Sequence, residues 1–202
     1  MYLSALKSNQ TTRSGVLGLL VFVFAVLTVV RNADWKSAVT IWADVVKKSP
    51  AKERAYNNLG TAFQGQKKYD EALAVYQRAL ALDPSISLNA YGNIGNVYLD
   101  KQEYEKASEL FTRILMINAN DYQSNIGRGK ARYGQERYAE ALVDFNRAIK
   151  FAPSIARYYL YRAETYLKLK EIERARNDLK RSCDMYWEES CERLKELDKH
   201  DE

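Results

Sequence analysis

The chain has 202 residues and a formal net charge of +5, from 31 basic and 26 acidic residues. Hydrophobic residues make up 47% of it, whereas it has only nine glycines and three prolines. This apolar content excludes a disordered chain, and the scarcity of turn residues favours long helices over strands. Acidic and basic residues interleave without a concentrated basic stripe, so we expect no nucleic-acid partner. These properties predict an all-α protein.

The first predicted element is an apolar helix near the N-terminus. Residues 14–30 read SGVLGLLVFVFAVLTVV, and Arg13 and Arg31 flank this uncharged stretch. Seventeen residues is the lower limit for crossing a bilayer, and the arginines can extend the span by reaching the headgroups. We therefore predict one transmembrane helix at 14–30, after an N-terminal cytoplasmic flank at 1–13.

Two alternatives for this stretch remain open. A cleaved signal peptide has the same basic start, although no A-x-A-like cleavage site follows here. A buried core helix would need cover on every side. Lys7 and Arg13 precede the stretch, whereas Asp34 offsets the basic residues beyond it, which weakly favours a cytoplasmic N-terminus. We accordingly expect the rest of the chain on the extracytoplasmic, periplasmic side of a membrane.

The remaining sequence repeats with a period of about 34 residues. YDEALAVYQRALALDP at 69–84 and YAEALVDFNRAIKFAP at 138–153 match at most positions, and YEKASELFTRILMINA at 104–119 is a degenerate copy. A partner segment precedes each of the three, beginning at Ala55, Ala90 and Ser124. Such a period is typical of stacked helical hairpins.

This pattern resembles the tetratricopeptide repeat (TPR), a helix-turn-helix unit. A small residue stands where the two helices of each unit would cross, at Gly60, Gly95, Gly129 and Ala163. The second helices carry Ala72, Ala107, Ala141 and Ala175, each followed by Tyr76, Phe111, Phe145 or, in the last unit, Leu179. The resemblance implies an all-α TPR solenoid, because small residues let the backbones approach. Its predicted parts are a half-repeat and junction at 31–52, repeats at 53–87, 88–121, 122–155 and 156–187, and a C-terminal capping helix and tail at 188–202.

The half-repeat carries Trp35, Ala38, Trp42 and Pro50 at the positions of a second helix. Trp35 would lie at headgroup depth or cap the apolar end of the array. The junction RNADWKSAVTIWADVVKKSPAKERAYNNLG resembles that of multi-spanning transmembrane-and-TPR proteins, some of which are linked to protein glycosylation. A single helix leaves no room for their membrane domain, so this resemblance does not imply their chemistry.

Two cysteines lie at the far end, in RSCDMYWEESCERLKEL. On one continuous helix Cys183 and Cys191 would be about 12 Å apart, too far for a disulfide, whereas a turn near Tyr186 would bring them face to face. The spacing resembles Sel1-like repeats, whose hairpins are bridged, and the resemblance implies the pair Cys183–Cys191 in an oxidising compartment. The alternative is a pair of reduced, buried thiols. With His200 as the one histidine, we expect no metal site.

No phosphate loop, nucleophile elbow or zinc-protease helix is present in the sequence, so we expect neither an enzyme nor a cofactor. In the TPR family, set positions of each first helix line a concave face that binds proteins. Mapped here, these partner-binding positions are Arg54, Asn57, Asn58, Thr61, Asn89, Asn93, Asn96, Gln123, Lys130, Arg157 and Tyr161, and the same mapping includes Gln64, Tyr133 and Glu164.

Side-chain amides at equivalent positions, such as Asn58 and Asn93, could hold an extended peptide backbone. Lys130 and Arg157 could add a contact to an anion such as a C-terminal carboxylate. The family's carboxylate clamp needs a lysine and an asparagine in the first repeat, which Asn57 and Thr61 do not supply. The alternative is a solvated polar face without a ligand.

Together these features predict a membrane-anchored scaffold that binds a protein or peptide segment and supports assembly of a membrane or envelope complex. One alternative is an accessory subunit of a membrane enzyme complex, either a glycosyltransferase or an energy-transducing complex. Another is a secreted soluble adaptor, which would require cleavage after the apolar stretch.

Overall fold

The computed structural model describes residues 23–24, 37–82 and 87–199. From residue 37 onward, its described part contains ten α-helices and no strand. In chain order the helices are α1 (Ala38–Lys48), α2 (Glu53–Gly65), α3 (Tyr69–Leu82), α4 (Ser87–Asp100), α5 (Tyr104–Ile117), α6 (Tyr122–Gly134), α7 (Tyr138–Phe151), α8 (Ala156–Lys168), α9 (Ile172–Asp184) and α10 (Glu188–Lys199).

The predicted transmembrane helix lies outside the described residues, apart from Val23 and Phe24, which are helical and exposed. Residues 31–36 of the junction, including Trp35, lie outside them as well. Among the residues that were searched, no helix combines the length and the apolar composition needed to cross a bilayer. Membrane insertion of residues 14–30 therefore stays a prediction.

The helices form a stack of antiparallel pairs, as the repeat pattern predicts. The pairs are α2 with α3, α4 with α5, α6 with α7, and α8 with α9, while α1 packs on α2 and α10 packs on α9. Each first helix also contacts the first helix of the next pair. The array is therefore an all-α solenoid, one face of which is lined by α2, α4, α6 and α8.

Within each pair the helices cross at the predicted small residue. A Cβ atom added to Gly60 would lie 2.5 Å from Tyr76 Cε1, and one added to Gly129 would lie 2.5 Å from Phe145 Cε1. These positions leave no room for a side chain while the partner is aromatic. In the last pair Ala163 faces the same core cluster as Leu179, whose side chain has no ring.

Neighbouring pairs are joined by a hydrogen bond from the start of a first helix to the connection before it. The Tyr56 hydroxyl donates to the Pro50 carbonyl over 3.2 Å, and the Tyr159 hydroxyl donates to the Pro153 carbonyl over 3.0 Å. At the equivalent place, the buried Asn125 amide donates to the Ala119 carbonyl over 3.1 Å. A shorter side chain thus makes the same connection.

Two pairs also contain buried ion pairs between their helices. Asp144 on α7 is 1% exposed and accepts hydrogen bonds from Arg128 and Arg132 on α6, the shortest of them 2.6 Å. In the next pair Arg162 donates two hydrogen bonds of 2.7 Å to Asp178, which raises the pKa of Arg162. These bidentate contacts fix how α6 packs on α7 and α8 on α9.

The turn inside each pair is short and contains a non-glycine residue with a positive φ, at Lys67, Gln102, Glu136 and Lys170. Tyr186, with φ 63°, occupies the same kind of turn between α9 and α10. There the Trp187 N–H donates to the Ser182 carbonyl, as the Lys68 N–H does to the Phe63 carbonyl in the first pair. Because of this tight turn, α10 folds back on α9 as the second helix of a hairpin.

This last hairpin is closed by a disulfide between Cys183 and Cys191, whose Cα atoms are 4.8 Å apart. The implied pairing is therefore confirmed, and the alternative of two reduced thiols is wrong for this structure. Beside the bridge, the buried Ser190 hydroxyl donates to Ser182 over 2.7 Å, and Ser182 donates to the Ala156 carbonyl over 2.9 Å. The bridge and these bonds join α10 to the last pair.

Candidate binding groove

A large cavity lies on the face formed by the first helices. It has a volume of about 650 Å³ and is lined by residues of α4, α6 and α8, of the second half of α5 and of the connection after α5. Its lining contains seven of the predicted binding residues, namely Asn89, Asn93, Asn96, Gln123, Lys130, Arg157 and Tyr161. The structure thus brings together residues from three repeats.

The four predicted residues of the first repeat do not line this cavity. All four lie on α2, where Arg54 and Asn58 are exposed and Arg54 lies 3.9 Å from Glu53. The Thr61 hydroxyl donates to the Asn57 carbonyl over 3.1 Å and is hydrogen-bonded to the Tyr76 hydroxyl. A binding role for these residues stays a prediction.

The three asparagines of α4 provide the polar wall of the large cavity. Asn89, Asn93 and Asn96 are spaced so that their side chains follow one side of the helix. Within the described residues, none of these amides makes a hydrogen bond to another protein group. Each amide is therefore available to donate to and accept from a ligand.

The floor of the large cavity is apolar and includes Phe111 and Ile114. Gly127 on α6 stands where a Cβ atom would collide with the Phe111 ring. Gly127 is the equivalent of Asn93 in the third repeat, and the Phe111 ring leaves no room for a side chain there. This is the physical reason why the equivalent asparagines Asn58 and Asn93 have no counterpart at Gly127 in the third repeat.

A smaller cavity of about 300 Å³ adjoins the large one. Lys130 and Tyr161 line both, so the two cavities meet at these side chains. The rest of its lining is Leu99, Asp100, Tyr104, Tyr133, Gly134, Phe145 and Glu164. The repeat frame maps Tyr133 and Glu164 to this face, whereas Tyr104 and Phe145 read only as packing residues in the sequence. The sequence feature that corresponds to the contact of Tyr104 with α6 is Gly134, because a Cβ atom there would lie 2.5 Å from Tyr104 Cζ.

Lys130 is the cation shared by the two cavities. Burial lowers its pKa, an effect that Asp100 opposes and Arg157 reinforces. Its ammonium lies 5.6 Å from the centre of the Tyr161 ring, and no carboxylate among the described residues forms an ion pair with it. The nearby acids are already engaged, because Asp100 accepts from Gln64 over 2.6 Å and Glu164 lies 3.3 Å from Arg193.

The second cation of the groove, Arg157, is held by the last hairpin. Its guanidinium lies 4.6 Å from the centre of the Trp187 ring, and its charge partly offsets the effect of burial on the pKa of Tyr161. Burial raises the pKa of Tyr161, so its hydroxyl stays protonated. Trp187 follows the turn between Cys183 and Cys191, and the disulfide therefore supports the residue on which Arg157 stacks.

A stack of helical hairpins with a continuous polar and apolar groove is a protein-interaction scaffold, which indicates a binding role rather than a catalytic one. Three family models, each described as a tetratricopeptide repeat, match residues 53–86, 88–121 and 126–189. The chain belongs to the tetratricopeptide-repeat family.

Solved structures of other proteins have the same fold. MamA (residues 41 to the end) from Desulfovibrio magneticus RS-1 superposes with a TM-score of 0.63 at 16% identity, over 73% of this chain and 83% of that one. TTC0263, a thermophilic TPR protein of Thermus thermophilus, superposes with a TM-score of 0.63 at 22% identity, over 72% of this chain and 81% of that one. At these identities the likeness concerns the fold alone.

Curated relatives match over a shorter stretch. Protein O-mannosyl-transferase tmtc2 of Xenopus laevis is 41% identical over 61 residues, which are 30% of this chain and 7% of that protein. The Drosophila melanogaster Tmtc2 protein is 32% identical over 85 residues, which are 41% of this chain and 9% of that protein. The chain thus spans less than a tenth of the length of these relatives.

Proposed function

We propose that the chain is a membrane-anchored scaffold whose groove holds an extended segment of a partner protein. The observation that carries this proposal is the large cavity, where seven predicted residues from three successive repeats lie together. The cavity combines polar side chains with the apolar Phe111 and Ile114, which suits a ligand that carries both polar backbone groups and apolar side chains.

The asparagines could bind the backbone of a peptide segment independently of its amino-acid sequence. A peptide group needs one donor and one acceptor, and each free amide of Asn89, Asn93 and Asn96 offers both. The apolar floor then accepts side chains from the face of the segment opposite the asparagines. The segment would run across α4, α6 and α8, the helices that contact one another along this face.

Photo-crosslinking from defined positions in the full-length chain tests this proposal. A photoreactive amino acid replaces Gln123, which lines the groove, or Lys180, which is exposed on α9 outside it. We expect a discrete crosslinked partner from the Gln123 position and none from the Lys180 position. Equal crosslinking from both positions, or none from either, would contradict a groove-specific partner.

The apolar, uncharged residues 14–30 support the membrane anchor. We expect carbonate washing to leave the intact polypeptide in the vesicles, whereas its release would exclude an anchor. The side of the membrane is tested separately by labelling Cys183 and Cys191 with an impermeant thiol reagent after reduction. Labelling only after permeabilisation of the inner membrane would reject the extracytoplasmic location.

A second candidate function is that of an accessory subunit of a membrane glycosyltransferase complex. It is supported by the similarity to the O-mannosyl-transferases, of which this chain corresponds to a short part. Purification in gentle detergent followed by mass spectrometry distinguishes the two candidates. One stoichiometric multi-spanning partner would favour the subunit, and a soluble or substoichiometric groove partner would favour the scaffold.

A further inference from the structure

We propose that the Cys183–Cys191 disulfide is a redox switch for the groove, which keeps its binding shape only while the bridge holds α10 against α8. Reduction of the bridge releases α10, and the groove then binds its partner less tightly. This inference rests on the proposed peptide-binding function and adds the way in which that function is regulated.

Two residues of the last hairpin contact charged residues that line the groove. The Trp187 ring, directly before α10, lies 4.6 Å from the guanidinium of Arg157 in the large cavity. On α10 itself, the side chain of Arg193 lies 3.3 Å from the carboxylate of Glu164 in the smaller cavity. The hairpin therefore holds one charged side chain of α8 in each of the two cavities.

A pair of hydrogen bonds gives α10 a third link to α8. The Ser190 hydroxyl of α10 donates to Ser182, which donates in turn to the carbonyl of Ala156, the first residue of α8. Trp187, Ser190 and Arg193 follow one another at intervals of three residues, so all three links lie on one side of α10. A single movement of α10 would break them together.

Charges on α10 also act on a tyrosine in each cavity. Burial raises the pKa of Tyr133, and Arg193 opposes this effect. Burial likewise raises the pKa of Tyr161, and Glu189 adds to the increase. Because these influences come from α10, the electrostatic potential in the groove depends on where that helix lies.

Few contacts other than the bridge keep α10 in place. Among the residues of α10, all of which the structure describes, Ser190 alone is buried, and Leu194 and Leu197 are partly buried against the fourth pair. The ion pairs of α10 with Glu164 and Arg176 are partly exposed, so each contributes little. A helix of this length is marginal on its own in water, so we expect α10 to detach in a substantial fraction of reduced molecules.

The bridge lies where a reductant can reach it, because Cys183 and Cys191 are both partly exposed. The reductant is a dithiol, of which one thiolate attacks a sulfur of the bridge, so that the S–S bond breaks and a mixed disulfide forms. The second thiol of the reductant then displaces the protein sulfur. The two cysteines take up two electrons and two protons, and the dithiol is oxidised to a disulfide.

Residues of the groove should in turn affect the reduction of the bridge. A contact between α8 and α10 that exists only while α10 is docked favours the oxidised state over the reduced one. Removal of such a contact therefore makes the bridge easier to reduce, because the coupling between two sites is reciprocal. This effect can be measured without the partner.

The first experiment measures the reduced fraction of the Cys183–Cys191 pair in the full chain, in mild detergent, at graded ratios of reduced to oxidised dithiothreitol. We expect Arg157→Ala and Glu164→Gln each to raise the equilibrium constant for reduction about two- to fivefold. Arg147→Ala removes an exposed arginine of α7 and should leave the constant unchanged. Equal constants for all variants, or a bridge that opens only after denaturation, would overturn the inference.

The second experiment measures crosslinking of the partner from a photoreactive residue at position 123, before reduction, after reduction and after reoxidation. We expect the yield to fall about threefold or more on reduction and to recover on reoxidation, since fewer molecules have the closed groove. In a chain with Cys183→Ser and Cys191→Ser, the yield should stay low under all three conditions. A purely structural bridge would not give this reversible change.

The failures of the two proposals differ. If the oxidised chain gives no crosslink, the peptide-binding function is wrong, whereas the equilibrium with dithiothreitol still reports whether the bridge and the groove are coupled. If the yield is the same before and after reduction, the groove binds its partner and only the redox switch is overturned.

Discussion

Asn125 replaces a tyrosine in the series of bonds that joins one helix pair to the next. Tyr56 and Tyr159 reach the carbonyl six residues earlier with a hydroxyl, and Asn125 reaches the Ala119 carbonyl with its amide. The amide also donates to the Asp121 carbonyl over 2.8 Å. The buried amide nitrogen is thus paired, whereas the buried Asn125 Oδ1 has no partner among the described residues. The third repeat keeps the connection at the expense of aromatic packing.

The charge of Lys130 lowers the stability of the folded protein. Its folded-state pKa lies below the ordinary value of 10.5, so the charged form is disfavoured by folding. We expect Lys130→Met to stabilise the protein by up to about 1 kcal/mol, because it removes a charge that burial disfavours. Denaturant unfolding measures this difference.

The difference in the free energy of unfolding between Lys130→Met and the unchanged chain should depend on pH with a definite sign. As the pH rises through the lowered pKa toward 10.5, the folded protein releases the Lys130 proton before the unfolded chain does. The unfolded state then binds more protons, so the unchanged chain gains stability relative to the variant. The advantage of Lys130→Met should therefore shrink with increasing pH, and a constant advantage would contradict this explanation.

Asp144 is the residue whose loss should cost most among the buried charges. Asp144→Ala leaves Arg128 and Arg132 without their buried acceptor, and we expect a loss of about 3–5 kcal/mol in the free energy of unfolding. Glu109→Ala is the control, because its ion pair with Arg113 is exposed and should contribute less than about 1 kcal/mol. Similar losses in chemical denaturation would disprove the difference between the two sites.

At the scale of helices, packing is governed by the residue pair at each crossing. Glycine faces an aromatic ring in three pairs, whereas Ala163 and Leu179 share the core of the fourth. Glycine with a ring and alanine with leucine fill the same space at the crossing, since the alanine methyl occupies room that a ring would need.

This complementarity predicts non-additive mutations in the third pair. Gly129→Ala places a methyl against Phe145 and should destabilise by about 1–3 kcal/mol, while Phe145→Leu alone leaves a void. We expect the double variant, which reproduces the fourth pair, to be more stable than the sum of the two losses by about 0.5–3 kcal/mol. A double-mutant cycle by thermal unfolding measures this coupling, and strict additivity would contradict it.

The helix pairs could be predicted from the sequence because their crossings use residue types that stand out at a fixed spacing, as Gly60 and Tyr76 do. The repeat frame also places the turn near Tyr186, but the conformation of the turns could not be predicted, since Lys67 and Tyr186 adopt a positive φ that is usually marked by glycine. The buried partnership of Asp144 was equally hidden, because its arginines lie 16 and 12 residues earlier in a polar-looking helix.

At the scale of the whole molecule, the groove exists only because three repeats stack. Predicted residues such as Asn93 and Lys130 could be mapped from the repeat frame one at a time. The smaller cavity could not, since only Tyr133 is mapped to this face, whereas Leu99 and Phe145, from two other helices, read as core positions in the sequence. Their proximity depends on the packing of α4, α6 and α7, which local patterns do not encode.

The disulfide should act locally in such an array. Each pair contacts only its neighbours, so removing the bridge with Cys183→Ser and Cys191→Ser should loosen α10 and leave the first pairs unchanged. We expect hydrogen exchange to accelerate in Glu188–Lys199, with a local loss of about 2–4 kcal/mol, and to stay constant in Glu53–Gly65. Uniform acceleration along the chain would show that the array behaves as one cooperative unit.

The bridged hairpin also determines which end of the array unfolds first on heating. The opposite end of the described array is closed only by α1, a short helix with no fully buried residue. Melting of a linear stack starts where detaching the terminal unit costs least, so the melting front should advance from Ala38 toward the C-terminus. The peptide groove, built from the second to the fourth pairs, would then survive partial melting and remain intact at temperatures where the first helices are already open.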